Sequence, residues 1–489
     1  MIYDFAFITI FFLILIIISN SHRFMNLFTI LLSISLFILS AYTLQVVPLP
    51  IYYNEFYNYI FIDYLNVYMV LINETVFTLA SLYALGYIES LVSHGELHRK
   101  NLKLFYLSFN LLNVFIILAF FSNNLALFLI FAELTTIFGA LLIAILNAKE
   151  NIDAALKYLF VVSSTMVFAF IGILFLYTLS QKYNYSTLNW NELVQLSQKT
   201  PLVASYMLLT FVFVNLGLMA KAGIAPFHTW LPHAHSTAPS VISTILSGAV
   251  LNVGIYGMIR LFFIYKNTSV HTIISDILLF FGLLSMGIGV FSMYQQRNLK
   301  MLIAYSSIEQ MGLMVIAIGI GTQSSIYWLM FYIAMHSLAK SLLFLSAGVM
   351  HRQYKSNELI SMINVLKLQP LASIGLIVGS LSVLGFPPFA LFFPKIFILS
   401  EIAKSSLVLL VFVLFFFLIA ISAFTVLFAR LFTKMTVHKD LDVIKEYRSP
   451  LLMKVPLVLL IISLFVFGIY IPSQFQNLIL TIQRYLFSV

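Results

Sequence analysis

The sequence predicts an all-α polytopic membrane protein with about 14 transmembrane helices, two of them broken. Of its 489 residues, 62% are hydrophobic and only 9% are charged, whereas about a quarter of the residues in a soluble domain are charged. Apolar runs of about 18 residues or more recur along the whole chain, and each can cross the roughly 30 Å hydrocarbon core of a bilayer. Prolines interrupt two of these runs beside a lysine.

The composition also excludes several classes of function. The chain has no cysteine, so it cannot itself form disulfides or cysteine-bound zinc and iron–sulfur sites. Its net charge of +9 comes from basic residues that flank apolar spans and does not indicate nucleic-acid binding. We find no nucleotide-binding loop, no Ser/His/Asp arrangement and no haem or quinone signature. We therefore expect no cofactor and no catalytic or redox centre in this chain.

The predicted helices are separated by short polar segments along the whole chain. They cover residues 4–19, 24–47, 62–91, 103–121, 125–146, 154–180, 202–224, 236–264, 272–293, 299–320, 324–350, 368–398, 405–432 and 452–471. Between and after them we predict a polar external loop at 181–200, a long charged loop at 434–448 and a mixed tail at 473–489.

The distribution of basic residues predicts the orientation. Most lysines and arginines follow odd-numbered helices, among them Arg99, Lys300 and Arg352, and fewer, such as Arg260, fall on the opposite side. The positive-inside rule then places the odd-numbered loops in the cytoplasm and both termini outside the cytoplasmic membrane of a bacterium or archaeon.

A proline-rich stretch interrupts the seventh helix. Lys221 lies near the end of an apolar run, and Pro226, Pro232 and Pro239 follow it. Proline removes a backbone hydrogen bond and clashes with the preceding turn, so the helix must stop and restart. Broken helices at membrane depth require surrounding protein or a water-filled cavity. An ionisable residue at such a break marks a functional site.

Four charged residues lie inside apolar runs: Glu133, Lys221, Lys340 and Lys395. Each charge at the centre of a span costs about 2.5–3.5 kcal/mol. A lysine kept from water can exist in its neutral form and so pass a proton on. We therefore predict a proton relay. The alternatives are a static ion pair between Glu133 and Lys221, or a lysine that extends to the interface.

The eleventh and twelfth helices carry further candidates. His336 and Lys340 are four residues apart, on one face of a helix, and both can carry protons. Lys395 follows Pro387, Pro388 and Pro394 in a second broken helix. Interrupted spans in two halves of a chain are typical of an ion path between repeats.

Other candidates have weaker patterns. His228 and His235 are candidates for coupling or proton uptake, although a proline-rich packing loop explains them equally well. Glu309 follows a basic pair and is expected within reach of the cytoplasmic surface, with a structural role as the alternative. The three histidines of the seventh-helix break do not have zinc-ligand spacing, so no metal site is predicted.

Four motifs resemble the antiporter-like subunits of respiratory complex I, group 4 membrane-bound hydrogenases and multisubunit cation/proton antiporters. They are Lys221 to Pro239, Gln296 to Gly312, His336 to Lys340 and Gly385 to Pro388. Two runs, His94 to Leu97 and Ser306 to Gly312, are most similar to the hydrogenase-4 F-type subunit.

The resemblance implies two inverted five-helix repeats and broken helices 7 and 12. It places N-terminal helices 1–4 in residues 1–121, a first repeat in 122–264, a second in 265–400 and the last helices in 401–489. It also implies that Glu133, Lys221, Lys340 and Lys395 occupy the positions of the family's buried relay residues, with Lys395 at the exit.

The sequence departs from the family pattern in its eighth helix. Many members have a His or Lys there, whereas the matching stretch around Ser247 has no titratable group. A water chain past Ser247 would have to connect the two halves. In addition, His233 replaces the family's usual aspartate.

We therefore expect a proton-translocating subunit of a larger membrane complex. Its partners would be lipids, other membrane subunits and a peripheral redox or soluble module, which would supply the driving force. The alternatives are a component of a secondary transporter, for Na⁺/H⁺ antiport or bicarbonate uptake with a soluble partner, and a scaffold that does not pump.

Overall fold

A computed structural model describes residues 2–199, 204–432 and 447–488. The helices are α1 (Ile2–Ile18), α2 (His22–Val46), α3 (Tyr64–Ser93), α4 (Leu102–Phe121), α5 (Leu125–Ile143), α6 (Lys149–Lys182), α7 (Trp190–Lys199), α8 (Ala204–Lys221), α9 (Trp230–Thr237), α10 (Ser240–Ile245), α11 (Leu251–Tyr265), α12 (His271–Tyr294), α13 (Leu299–Ile320), α14 (Gln323–Tyr354), α15 (Val365–Leu368), α16 (Pro370–Leu384), α17 (Phe392–Ser405), α18 (Leu407–Phe432), α19 (Leu451–Ile469) and α20 (Ser473–Ser488). A short antiparallel ribbon pairs β1 (Ile51–Tyr52) with β2 (Phe61–Ile62). Most of the predicted charged loop at 434–448 lies outside the described residues.

Many of these helices can span a membrane. Within the described residues, 12 spans are long and apolar enough to cross, and α1 and α16 are shorter apolar helices. The helices α10 and α11 form one such span, Ser240–Tyr265, through a five-residue π-helical turn. The chain is therefore an all-α integral membrane protein with many spans, as predicted. The exact count of 14 and the inverted repeats remain predictions.

The spans differ in how far they are enclosed by protein. In an apolar 18-residue segment of each span, the buried share of residues is 100% for Ser240–Tyr265 and for Gln323–Tyr354. The corresponding share for Leu407–Phe432 is 22%. Polar and charged groups are tolerated in a span when neighbouring helices surround them. The enclosed α10, α11 and α14 can therefore carry the polar residues that would be unfavourable on the outer α18.

Side-chain caps fix where several helices begin. The Asp63 side chain caps α3 by accepting a hydrogen bond from the backbone N–H of Asn66 at 2.8 Å. In return, the backbone N–H of Asp63 donates to Asn66 Oδ1 at 2.9 Å. Asn124 caps α5, and Asn298 caps α13. Such caps satisfy N–H groups that have no partner within the helix.

Glycine allows a sharp change of direction at both predicted breaks. After α8 ends at Lys221, Gly223 has φ +68°, and a Cβ there would lie 2.5 Å from Leu231 Cδ1. After α16, Gly385 has φ +81°, and a Cβ there would lie 2.7 Å from Lys395 Cδ. Only glycine fits both the backbone and the space. At the second break, Gly385 packs against the side chain of Lys395. At the first break, Gly223 follows Lys221 by two residues in the sequence. A glycine therefore lies beside a lysine at each break.

Three basic residues that we assigned to loops are buried. Arg260 of α11 forms an ion pair with Asp63 at 2.6 Å, and Arg352 of α14 forms one with Glu96 at 2.7 Å. Lys300 of α13 donates to the carbonyl of Ala238 at 2.9 Å. The assignment was wrong for these three because the sequence does not show partners that come from distant segments. These three residues therefore cannot be counted as loop charges. The predicted orientation depends on the remaining basic residues.

Two predicted irregular segments are helical. The segment predicted as an external loop, 181–200, contains α7, which buries Trp190, Leu193 and Leu196. The tail contains α20, which packs against α14 and α3. Both helices are amphipathic, and each is stabilised by covering an apolar surface of the bundle.

Candidate functional site

Lys221 is the last residue of α8 and is completely buried. Its ammonium group donates a hydrogen bond to Thr136 Oγ1 of α5 at 2.8 Å and lies 5.9 Å from the centre of the Tyr158 ring. The alternative that this lysine extends to the membrane interface is therefore wrong.

Glu133 lies one turn before Thr136 on α5 and is partly exposed. Its Oε1 accepts a hydrogen bond from Ser163 of α6, and its Oε2 has no hydrogen-bond partner among the described residues. No ion pair within 4 Å joins Glu133 to Lys221 in the described chain. The direct pair that the sequence suggested is absent because Ser163 binds the carboxylate and Thr136 binds the ammonium.

Hydroxyl and amide groups occupy the space between the two halves. Ser247 lies in the π-helical turn and contacts Ser307 of α13, with their oxygens 3.1 Å apart. The amide of Asn252 donates to Ser337 of α14 at 3.0 Å. All four side chains are buried. Ser247 thus lies between the two halves, where the sequence predicted a bridging water chain. Its partner Ser307 was not among the residues predicted from the sequence.

In the second half, Lys340 of α14 donates to Ser306 Oγ at 2.5 Å and to the carbonyl of Ile303 at 3.1 Å. His336 lies one turn earlier on the same helix and is completely buried. Neither of its ring nitrogens has a hydrogen-bond partner among the described residues. Both groups therefore face the protein interior.

Glu309 is in the interior of the second half. It is 1% exposed, and its Oε1 lies 3.9 Å from the ammonium of Lys395, which also lies over the ring of Phe417 at 4.3 Å. Gln310 donates to the other carboxyl oxygen. The expectation that Glu309 lies within reach of the cytoplasmic surface is wrong. Its position in the middle of α13 indicates burial. The basic pair that precedes it in the sequence instead suggested a position near the surface.

The histidines of the first break lie in different surroundings. His235 is buried, with its ring stacked on Phe344 at 4.5 Å between centroids, and neither ring nitrogen has a partner among the described residues. His228 is half-buried in the break itself. Among the described residues, no three His, Cys, Asp or Glu side chains form a group that could hold a metal.

A charged cavity of about 720 Å³ opens at one end of the bundle. Its lining includes Asp153, Lys157, His233, Lys300 and His351. Lys300 reaches from this cavity to Ala238, next to the start of α10. Sequence reasoning assigned Lys300 to a loop and overlooked His351, because only the fold brings these segments together.

Comparison with known proteins gives one family match. The model described as NADH:quinone oxidoreductase/Mrp antiporter, TM matches residues 122–422. The hydrogenase-4 component F homolog of Methylacidiphilum infernorum is 29% identical over 356 residues, which cover 72% of this chain and 74% of that protein. NADH-quinone oxidoreductase subunit M of Rickettsia conorii is 30% identical over 292 residues, which cover 59% of this chain and 57% of that protein.

A solved structure shares the fold. It is a chain from the membrane-bound sulfane sulfur reductase, an archaeal respiratory membrane complex, with a TM-score of 0.84 and 22% identity. The match covers 99% of this chain and 96% of that one. At this identity the likeness concerns the fold alone.

Proposed function

Because the chain belongs to the NADH:quinone oxidoreductase/Mrp antiporter transmembrane family, we propose that it is a proton-translocating subunit of a larger membrane complex. Membership confirms the resemblance that the four sequence motifs indicated. Relatives of this chain are named as subunits or components, which supports an assembly with other membrane subunits and a peripheral module.

The proposed path begins at the charged cavity and runs through the bundle. A proton taken up there is held near Lys221 and Glu133, passes the hydroxyl groups of Ser247 and Ser307, and reaches Lys340 and His336. It then leaves past Glu309 and Lys395. His228 and His235 are proposed to assist uptake or coupling. Where two successive groups on this path are too far apart to form a direct hydrogen bond, a water molecule must bridge them.

The chain requires an external source of energy for this transport. Its composition offers no thiolate ligands for a redox centre, so a partner must supply the driving force. A change in the distance between Glu133 and Lys221 would alter the affinity of the lysine for its proton and so load or unload the path. Ser163 and Thr136, which now hold the two groups apart, are the contacts that such a movement would break.

We also propose the finer architecture implied by the family. The two broken helices, α8 with α9 and α16 with α17, would occupy equivalent places in inverted repeats at 122–264 and 265–400. Their support is the matching break, with a left-handed glycine beside a buried lysine in each. Both termini would lie outside the cytoplasmic membrane of a bacterium or archaeon.

The observation that carries the proposed function is that Lys221, Lys340 and Lys395 are all buried in the interior of a membrane bundle. Each has hydrogen-bond or ion-pair partners that can exchange a proton with it. A structural protein gains little from three such lysines, since each is unfavourable by about 2.5–3.5 kcal/mol on insertion scales.

The test is Lys221→Ala in the native complex, with proton flux followed by a pH-sensitive dye in membrane vesicles. We expect flux to be abolished while the complex still assembles. Lys182→Ala, at the exposed end of α6, is the matched control and should leave flux unchanged. Unchanged flux in Lys221→Ala would favour the scaffold.

Exchange of Na⁺ for protons is the second candidate, favoured by the antiporters in the family description. The same vesicles distinguish it. Flux that requires Na⁺ on the opposite side, and that Lys221→Ala abolishes, would replace the pump with an antiporter.

A further inference from the structure

A second buried carboxyl group lies outside the path described above. Glu74 is in α3 and is 0% exposed. Its Oε1 accepts a hydrogen bond from Asn73 at 2.9 Å, and its Oε2 accepts one from Asn113 of α4 at 3.2 Å. Among the described residues, no Lys, Arg or His lies within 4 Å of this carboxyl group. Glu74 also precedes the part of the chain that the family model matches.

Packing between helices does not explain a glutamate at this position. Asparagine and glutamine can join helices in a membrane through hydrogen bonds, and Asn73 and Asn113 already do so. A buried carboxylate without a counter-charge is strongly unfavourable. An ionisable group at this depth therefore needs a proton or another cation, which a glutamine would not need.

Polar side chains of α2 and α4 lead from Glu74 toward one end of these helices. Tyr106 donates to Asn26 at 3.2 Å, and one turn deeper Asn110 donates to Thr29 at 2.8 Å. Asn113, which contacts Glu74, is one turn deeper again. Successive positions on a helix face are about 5–6 Å apart, a gap that one water molecule can bridge. We call these five side chains the polar ladder.

Two buried amides, Asn26 of the ladder and Asn73 next to Glu74, retain unused hydrogen-bonding atoms. Asn26 Nδ2 and Asn73 Oδ1 are both buried without a partner among the described residues. Asn26 is 0% exposed and Asn73 is 2% exposed. Buried polar atoms of this kind are normally satisfied by protein or by ordered water. Their positions at the two ends of the ladder favour bound water along it.

The outer end of the ladder meets a charged cleft of about 490 Å³. His22 lines this cleft, together with Arg23, Glu89 and Lys103, and its ring centre lies 5.8 Å from that of Tyr106. Lys103 and Asn113 are ten residues apart on α4, so Glu74 lies about 15 Å deeper than the cleft along the helix. The cleft is thus a source of exchangeable protons at one end of the ladder.

The helices packed against α3 are α2, α4, α10, α14, α19 and α20, with the π-helical turn. Their acidic, basic and histidine side chains are His22, Arg23, Lys103, His336, Lys340, His351, Arg352, Lys454 and Arg484. Among the described residues, none of them lies within 4 Å of the Glu74 carboxyl group, whose hydrogen-bond partners are Asn73 and Asn113. The neighbouring Val76 packs close to Gly248 of the π-helical turn. Among the described residues, no hydrogen bond or ion pair joins Glu74 to the residues of the central path.

We propose that Glu74 is a proton-loading site, filled from the cleft around His22 through water held by the polar ladder. In the loading step, a water molecule beside the carboxylate gives up a proton. An O–H bond forms on Glu74, the donor O–H bond breaks, and the hydroxide is neutralised by the next proton along the ladder. No electron is transferred. The amides orient the water and do not change their own protonation.

Infrared spectroscopy on the purified full-length chain in lipid tests this proposal without requiring transport. We expect a carbonyl stretching band from a protonated carboxyl group that disappears in Glu74→Gln and shifts in Glu74→Asp. The band should persist in Glu309→Gln. Because Glu74→Gln keeps the size of the side chain, this variant is expected to fold. If it does not fold, the shift of the band in Glu74→Asp assigns the band to residue 74.

The route is tested by the rate at which this band responds to D₂O. Thr29→Val removes the hydroxyl that Asn110 contacts and should slow exchange about fivefold or more. Thr165→Val is the control, because among the described residues Thr165 of α6 donates only within its own helix. A spectrum that neither Glu74 variant changes would overturn the proposal, as would equal exchange rates in the two threonine variants. Loss of the band on adding Na⁺ at constant pH would overturn it in favour of a Na⁺ site.

Discussion

The two halves of the bundle hold their lysine and carboxyl groups in different ways. In the first half, Thr136 binds Lys221, while Glu133 is partly exposed and bound to Ser163. In the second half, Glu309 is 1% exposed and forms an ion pair with Lys395. Both halves have a break beside a lysine, but only the second encloses both charges.

This difference indicates which half can respond to a neighbouring subunit. Around Glu133, the side chains of Ile130, Ile137 and Phe160 are exposed on the outer face of α5 and α6. A neighbour or a lipid at this face would contact the environment of the carboxyl group directly. The Glu309–Lys395 pair is surrounded by its own chain, so it responds only when its own helices move.

The largest expected difference between the halves is in stability. Glu309→Gln leaves Lys395 as a buried charge without its carboxylate, and removing one partner of a buried ion pair destabilises by about 3–5 kcal/mol. Glu133→Gln should destabilise by less than about 1 kcal/mol, because the partly exposed carboxylate has a hydroxyl partner and no ion pair. Thermal unfolding of the purified chain measures both.

The double variant Glu309→Gln with Lys395→Met is the control for this first comparison. It removes both charges and should recover most of the lost stability, as replacement of a buried pair by apolar groups often does. Equal destabilisation by the two single glutamine variants would mean that the halves do not differ in the way the contacts indicate.

A smaller effect is expected when the hydroxyl contact of the first half is removed. Thr136→Val deletes the hydrogen bond to Lys221, and a hydrogen bond to a charged group is worth about 1.5–3 kcal/mol. Proton flux through the complex should fall by roughly tenfold to a hundredfold. Dye-based flux measurements in vesicles report this directly.

Thr135→Val provides a matched control for that substitution. Thr135 is equally buried, and its hydroxyl donates to the carbonyl of Ala132 within α5. Its variant should keep near-normal flux. If both threonine variants lose flux to the same extent, the loss reflects the packing of α5 and not the contact with Lys221.

Charged residues within apolar runs and prolines that break membrane helices can be recognised from the sequence, because both are rare in membrane spans. Lys221, Lys340 and Lys395 could therefore be predicted as buried residues, and the breaks could be located to within a few residues. Their partners could not be predicted. Thr136 and Ser306 are ordinary helix residues, and only the packing of α5 and α13 against distant helices gives them a lysine to bind.

Buried acids were harder to recognise than buried lysines. Glu309 was interpreted from the basic residues before it along the chain, although the fold pairs it with Lys395, far away in sequence. Glu74 lies in the middle of a predicted helix, and its significance depends on Asn73 beside it and on Asn113 of another helix. Sequence position predicts depth in the membrane, but partner choice requires the tertiary fold.

The smallest expected effect concerns the connection between the halves. Ser247→Ala removes one hydroxyl from the contact with Ser307, and a neutral hydrogen bond contributes about 0.5–1.5 kcal/mol. Flux should fall about threefold to tenfold, because water can partly replace one missing hydroxyl. Thr244→Ala is the control, since the one acceptor of the Thr244 hydroxyl in the described part of the chain is the carbonyl of Ser240 in its own helix. A loss of flux in Ser247→Ala as complete as in Lys221→Ala would show that this hydroxyl is an obligatory carrier. No loss at all would place the connection elsewhere, for example at Asn252 and Ser337, and the first and second halves would then be joined through α14 instead of α13.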